Sequence, residues 1–270
     1  MTTQFFQLSI KDHQAEVTFH RPEKANALHL PAWEEMQKLF EYLDQLPDVR
    51  VIILSGSGKH FCSGIDLELL MNIQQFQQID CEGRKREALR QFILKLQSTV
   101  NAIEACRKPV IATVHGACIG GGLDILAACD LRYCSEDAYF SLKEIDLGMV
   151  ADLGSIQRLP AIIGMGLTAE LAYTARKMTA NEALQAGLVT RSFPNREQLQ
   201  AGVTEIAADI AAKSPLSIRG IKSTLLYARD HSVAESLQQI SNWNAAMFLS
   251  NDLQEAFLAT MEKRPPKFGD

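Results

Sequence analysis

Apolar residues along the chain follow two different periods, and the balance between them changes with position. Short apolar or alternating runs predict a hairpin at 5–10 and 15–20, and short strands at 131–135 and 138–142. The continuous apolar run at 49–55, and again that at 109–115, is typical of a strand covered on both faces. Apolar residues at helical spacing lie at 31–45, 120–129 and 75–106, the last with a break near 80–83. After about residue 153 the spacing is almost wholly helical, at 181–187, 196–213, 215–229 and 233–263. The pattern predicts a mixed α/β core over residues 1–195, followed by a helical region over residues 196–270.

Composition narrows the class of partner. The chain has 270 residues, of which 47% are hydrophobic and 22% charged, as in ordinary globular proteins. The net charge of −5 argues against nucleic acid, because binding phosphates requires a basic face. The first ten residues are polar, so we expect no secretory or membrane-spanning segment and no membrane partner. The last residues are not a peroxisomal address, and we expect a cytoplasmic protein.

The cysteines indicate neither a metal site nor a disulfide framework. None forms a Cys-x-x-Cys pair or stands beside clustered histidines. We expect buried or incidental thiols at Cys62, Cys81, Cys106, Cys118, Cys129 and Cys134.

Two glycine-containing segments could present main-chain N–H groups to a ligand. The loop 60–67 follows an apolar strand and turns at Ser63-Gly64, and the segment 115–124 passes from a strand through three glycines into a helix. Glycines allow close approach to the main chain, and a helix N-terminus directs N–H groups at an anion. Two converging donors would form an oxyanion hole for a thioester oxygen. Taken alone, the glycines also fit a dinucleotide site or close packing, although the GxGxxG spacing is missing.

Three acids lie in largely apolar surroundings, namely Asp124, Glu144 and Asp152. Burial raises the pKa of a carboxyl group, which suits a general acid or base. The alternative is helix capping, with Asp152 as the N-cap of a helix that starts near residue 153 and Asp124 as a first-turn acid. Asp130 and Asp146 are assigned to structure.

Over essentially its whole length the sequence resembles the crotonase (enoyl-CoA hydratase/isomerase) superfamily. The matching segments are 21–28, 63–67, 116–124, 157–160, 180–183, 186–189 and 262–264. The resemblance implies a spiral of ββα units, with C-terminal helices that assemble homotrimers or homohexamers. It implies an oxyanion hole from the N–H groups of Ile65 and Gly121. It also implies contacts with CoA or substrate at Ala27, Ser63, Gly64, Asp66 and Gly122.

Within the superfamily, the acids resemble those of Δ3,5-Δ2,4-dienoyl-CoA isomerases. Hydratases usually carry glutamates at the positions of Asp124 and Glu144, whereas here the first is aspartate. Residues 142–154 and 128–134 are similar to the corresponding isomerase runs, including an acid at Asp152. The resemblance implies that Glu144 serves C2 and Asp152 serves C6, with exchange of these roles left open, and that Asp124 tunes its neighbours. It implies no metal or redox cofactor, since CoA belongs to the substrate.

Two other functions remain as alternatives. A 2-enoyl-CoA hydratase would share the fold and the oxyanion hole. A non-catalytic acyl-CoA or RNA-binding scaffold is disfavoured by the acidic charge and by the three acids. One departure affects adenine binding, because Thr260 stands where many relatives carry phenylalanine; Phe257 or Phe268 could compensate.

Overall fold

Nine strands form two sheets in the computed structural model, which describes residues 2–270 except for the side chains of residues 72 and 73. The strands are β1 Phe6–Lys11, β2 Gln14–Phe19, β3 Val51–Gly56, β4 Val110–Val114, β5 Ala117–Ile119, β6 Leu131–Ser135, β7 Tyr139–Ser141, β8 Met178–Thr179 and β9 Arg191–Phe193. The larger sheet has the order β1-β2-β3-β4-β6-β9, and the smaller has the order β5-β7-β8. The mixed α/β fold expected from the sequence is confirmed.

Eleven α-helices of the described residues surround and extend these sheets. They are α1 Leu30–Gln45, α2 Leu67–Asn72, α3 Glu82–Ala105, α4 Gly121–Ala128, α5 Ser155–Ile163, α6 Met165–Thr174, α7 Ala180–Gln185, α8 Arg196–Ala211, α9 Pro215–Asp230, α10 Val233–Met247 and α11 Asn251–Glu262. No helix among residues 2–270 is long and apolar enough to cross a membrane.

The larger sheet begins with an antiparallel hairpin, and its other strands are parallel to one another. Strands β1 and β2 are antiparallel, and the turn between them places Asp12 and His13 at positive φ. Such φ values match the twist of a two-residue hairpin turn. The remaining pairs, from β2–β3 to β6–β9, are parallel, since helices cross between successive strands. All five residues of β4 are buried, as its continuous apolar run predicts.

Helix α8 packs against this sheet. Its Leu199, Val203 and Ala207 form a cluster with Val51 and Ile53 of β3. The division near residue 195 stays a prediction, because α8 lies on its C-terminal side and still covers the sheet.

The structure corrects the sequence prediction at its short or interrupted elements. Strands β8 and β9 were not predicted, and β5 was not separated from the strand before it, because two or three residues are too few to show a period. The stretch 233–263 is two helices, α10 and α11, because the Ser250 side chain accepts a hydrogen bond from the Leu253 N–H and begins a new helix. The break predicted near 80–83 is confirmed, since a 3-10 helix, Ile73–Gln78, ends before α3 begins.

Candidate active site

The loop that carries the predicted donor Ile65 is held in place by main-chain hydrogen bonds on its two sides. The Cys62 N–H donates to the Ala117 oxygen at 3.1 Å, and the Ile119 N–H donates to the Cys62 oxygen at 3.0 Å. These contacts fix the loop against β5, which leads directly into the glycines of α4.

On its other side the same loop is paired with residue 28. The Leu28 N–H donates to the Gly64 oxygen at 2.8 Å, and the Asp66 N–H donates to the Leu28 oxygen at 3.0 Å. The Ile65 N–H, which lies between these two bonds, has no hydrogen-bond acceptor among residues 2–270. This arrangement holds the Ile65 amide rigidly and leaves its hydrogen available to a ligand.

The second predicted donor, Gly121, begins α4. The preceding Gly120 has φ +53° and ψ −123°, and its N–H donates to the Ser141 oxygen at 2.9 Å. As the first helical residue, Gly121 has no preceding turn to accept its hydrogen, and its N–H has no acceptor in the described part of the chain.

The two donor segments touch through their main chains. A Cβ atom at Gly64 would lie 2.8 Å from the Gly121 nitrogen and 2.7 Å from the Ile119 oxygen, and φ at Gly64 is +88°. Only glycine permits this approach. The loop that carries Ile65 therefore packs directly against the Gly121 nitrogen.

A cavity of about 530 Å³ opens over these amides. It is lined by Ile65, Gly121 and Glu144, and by three of the residues predicted to contact CoA or substrate: Ala27, Ser63 and Asp66. The sequence thus identified six residues that share one cavity, although they come from positions as far apart as 27 and 144.

Glu144 is the one of the three predicted acids that lines this cavity, beside the acidic residues Asp66, Glu68 and Asp146. It follows β7 and starts a 3-10 turn, Glu144–Leu147. A Cβ atom at Gly120 would lie 3.2 Å from the Glu144 Oε1 atom, so the carboxyl group stands beside the first turn of α4. Its Oε2 atom is buried and has no hydrogen-bond partner among the described residues. Burial raises the pKa of Glu144, and the charge of Asp152 raises it further.

Asp124 lies behind the cavity, on α4. Its side chain is buried, and Oδ1 accepts a hydrogen bond from the Ser155 N–H at 2.6 Å, the first N–H of α5. Burial, followed by the charge of Glu144, raises the pKa of Asp124 to about 7. Asp124 is thus a first-turn acid of α4, as the structural alternative expected, and its side chain also accepts the first N–H of α5. Its catalytic role stays a prediction.

Asp152 does not line the same cavity. It is exposed at a separate polar cavity of about 300 Å³, whose lining includes Gln97, Asn101 and Glu104. The side chain of Gln97 donates to the Asp152 main-chain oxygen at 2.7 Å. The N-cap of α5 is Gly154 and not Asp152, so the capping alternative for Asp152 is wrong.

Asp152 nevertheless lies within electrostatic reach of the other acids. Its negative charge contributes to the raised pKa of Asp124 and of Glu144. Partial burial raises the pKa of Asp152 itself. The charge of Asp152 therefore acts on the other two acids, although Glu144 and Asp152 line different cavities.

Two glycines predicted to contact CoA or substrate serve packing in this structure. Gly64 and Gly122 are absent from the described lining of the 530 Å³ cavity. A Cβ atom at Gly122 would lie 2.5 Å from the Cys62 oxygen. These glycines bring main chains together, which is the close-packing alternative left open by the sequence.

Two residues that had no predicted role, Asn26 and Arg21, hold the loop 60–67 through their side chains. Asn26 is fully buried at φ +56°, and its side-chain N–H₂ group donates to the oxygens of Ser57, His60 and Phe61. Arg21 donates through one nitrogen to Asp66 Oδ2 at 2.6 Å and to a second acceptor, the main-chain oxygen of residue 27, at 3.0 Å. Both positions lie in the matched segment 21–28, which was the available signal.

The part of the chain that the structure describes contains no cluster of side chains suited to bind a metal ion. No group of three or more His, Cys, Asp or Glu side chains there is arranged to hold an ion. The six cysteines are free thiols, five of them buried and Cys81 exposed.

The family model of enoyl-CoA hydratase/isomerase matches residues 10–270 of this chain. The chain belongs to the enoyl-CoA hydratase/isomerase family. A relative in Arabidopsis thaliana, named peroxisomal Δ(3,5)-Δ(2,4)-dienoyl-CoA isomerase, is 53% identical over 92% of this chain and 90% of its own. The mitochondrial enzyme of the same name in Homo sapiens is 46% identical over 96% of this chain and 79% of its own.

Solved structures of family members share the fold. An enoyl-CoA hydratase from Bacillus anthracis superposes with a TM-score of 0.88 at 30% identity, covering 98% of this chain and 99% of its own. This agreement confirms the crotonase fold that the sequence resemblance implied.

The comparisons also correct the expected location. We expected a cytoplasmic protein, but the Arabidopsis and human relatives are named peroxisomal and mitochondrial. The cytoplasmic expectation is therefore wrong.

Proposed function

We propose that this family member converts a 3,5-dienoyl-CoA into a 2,4-dienoyl-CoA. The observation that carries the proposal is the buried, unpartnered Oε2 atom of Glu144 beside the unpaired amides of Ile65 and Gly121. A second acid, Asp152, lies at a separate position within electrostatic reach. Five relatives that are 44–53% identical carry the name dienoyl-CoA isomerase.

The proposed reaction begins at the thioester. Its oxygen accepts hydrogen bonds from the Ile65 and Gly121 amides, which stabilise the negative charge that develops when Glu144 removes a proton from C2. The result is an enolate conjugated with the two double bonds. The raised pKa of Glu144 makes it a stronger base than an exposed carboxylate, although a smaller fraction is ionised at low pH.

Protonation at C6 completes the reaction, and we assign this step to Asp152. The C2–H bond breaks and a C6–H bond forms, while both double bonds move one carbon toward the thioester. No electrons leave the substrate, so the proposed reaction needs no redox cofactor. The two amides supply the stabilisation of the enolate oxygen that a metal ion could otherwise give. Two acids are used because C2 and C6 are separated by three intervening carbons, beyond the reach of one fixed carboxyl group.

Asp124 is proposed to tune this pair. A group with a pKa of about 7 is partly protonated near neutral pH, so it limits the negative charge around Glu144. For CoA itself, we propose contacts at Ala27, Ser63 and Asp66, which line the cavity.

A 2-enoyl-CoA hydratase is the alternative activity, and the two are separated by substrate. The purified protein is incubated with a 3,5-dienoyl-CoA and, separately, with crotonyl-CoA. We expect the absorbance of the conjugated 2,4-dienoyl product to grow, with much slower loss of the crotonyl band. Glu144→Gln, which keeps the size of the side chain, is the control and should be inactive. Rapid hydration of crotonyl-CoA without diene movement would show that the chain is a hydratase.

We also propose a homotrimer or homohexamer. Helices α9, α10 and α11 expose the large apolar side chains Leu225, Leu237, Phe257, Leu258 and Met261. Exposed apolar surface of this kind is typical of an interface. Light scattering should give three or six times the mass of the chain. A monomer at micromolar concentration would refute this proposal.

A further inference from the structure

The cavity of about 530 Å³ over Ile65 and Gly121, here called the active-site cavity, adjoins two further apolar spaces. One side chain lines all three. One of the two further spaces is a pocket of about 250 Å³ between the segment 142–151 and helices α5 and α6. The other is a wide cleft of about 940 Å³ beside α2 and the start of α3. Among the described residues, only Met149 lines the pocket, the cleft and the active-site cavity together.

The position of Met149 is fixed relative to Glu144. Its N–H donates to the Glu144 oxygen at 3.0 Å, across a turn that Gly148 closes at φ +70°. The Met149 side chain is half-buried, and an unbranched thioether adapts its shape to an irregular apolar surface. The acid and this apolar side chain are thus carried by one short turn.

The 250 Å³ pocket borders the 530 Å³ cavity at Glu144 and Met149. Glu144 lines both this pocket and the active-site cavity, and the pocket wall includes Val150 and Ala151, which directly precede Asp152. A chain whose C2 lies at Glu144 and whose C6 points toward Asp152 passes along this wall. The wide cleft shares Leu67 and Leu147 with the active-site cavity but neither proposed acid.

We propose that Met149 determines acyl-chain selectivity, by contacting the alkyl tail beyond C6 as the tail enters the 250 Å³ pocket. This inference rests on the proposed function, because that function places C2 and C6. Each methylene that the pocket removes from water strengthens binding about fourfold. The preference for a longer chain therefore depends on an apolar surface at Met149.

Binding of unreactive saturated thioesters tests the inference independently of turnover. Dissociation constants for hexanoyl-CoA, which ends at C6, and decanoyl-CoA, which adds a tail, are measured by calorimetry on the full-length chain. Met149→Gln keeps the length of the side chain and presents an amide to the tail. It should lower the ratio of decanoyl to hexanoyl affinity by about fivefold or more, since an apolar contact then buries an amide.

Two matched variants complete the design. Met149→Leu restores an apolar surface and should keep the ratio within about twofold of the wild-type value. Met71 is exposed and lines only the wide cleft, so Met71→Gln should also leave the ratio unchanged. An equal loss for both thioesters in Met149→Gln, no loss for either, or a selective loss in Met71→Gln would overturn the inference. The isomerase assay reports separately on the proposed function, because these binding ratios do not depend on catalysis.

Discussion

Removing the charge of Asp124 should weaken the dependence of stability on pH. The pKa of this buried carboxyl group is about 7 in the fold, against an ordinary value of 3.8. A raised folded-state pKa gives stability that is fully present below the unfolded pKa and is lost as pH rises to the folded pKa. The difference between 7 and 3.8, at about 1.36 kcal/mol per pH unit, gives a loss of about 4 kcal/mol. About 2–3 kcal/mol of it falls between pH 5 and pH 8.

Asp124→Asn removes this titration and keeps the cap, because the asparagine oxygen can still accept the Ser155 N–H. Urea unfolding at fixed protein concentration, at pH 5 and at pH 8, gives the free energy of unfolding of both proteins. We expect the wild type to lose about 2–3 kcal/mol more than the variant over this interval. Asp12→Asn is the control, since Asp12 is exposed in a left-handed turn that asparagine tolerates. Equal pH dependence in wild type and Asp124→Asn would refute the reasoning.

Two further substitutions test the oxyanion hole and the docking of α9. Gly64→Ala places a Cβ atom 2.7 and 2.8 Å from main-chain atoms, so kcat should fall about 100-fold or more. The control is Gly166→Ala, which has open space around the new Cβ atom and should keep full activity. Near-normal turnover in Gly64→Ala would contradict this geometry. Lys222→Met leaves Asp130 without its 2.7 Å ion-pair partner and should lower the free energy of unfolding by about 3 kcal/mol in urea. The double variant with Asp130→Asn should recover part of that loss, and no recovery would show that the pair is not the cause.

The sequence alone was sufficient to predict those features of the fold that a local residue pattern determines. Helix α1 buries Trp33, Met36, Leu39, Phe40 and Leu43, which stand at helical spacing. The glycines at the start of α4 likewise indicated close approach of main chains, which the structure shows at Gly122, because a residue without a Cβ atom permits it. These features need no information about distant residues.

The remaining features depend on packing between distant segments. The acceptor role of Asp124 exists only because the Ser155 N–H, 31 residues later, is brought to it. The three Asn26 donations bridge separations of 31 to 35 residues, and no period in the sequence reveals them. Exposure of Asp152 at a second cavity also follows from the placement of α3 and α5, which a flanking apolar sequence does not show.

The two-acid mechanism can be tested most directly by following hydrogen exchange in deuterium oxide. The wild type and Asp152→Asn are incubated with a 3,5-dienoyl-CoA, and deuterium at C2 and C6 is measured by NMR. The wild type should form 2,4-dienoyl-CoA that carries deuterium at C6. Asp152→Asn should exchange the C2 hydrogen through Glu144 while forming almost no product. If Asp152→Asn formed C6-deuterated product as fast as the wild type, the assignment of two carboxyl groups to two carbons would be contradicted.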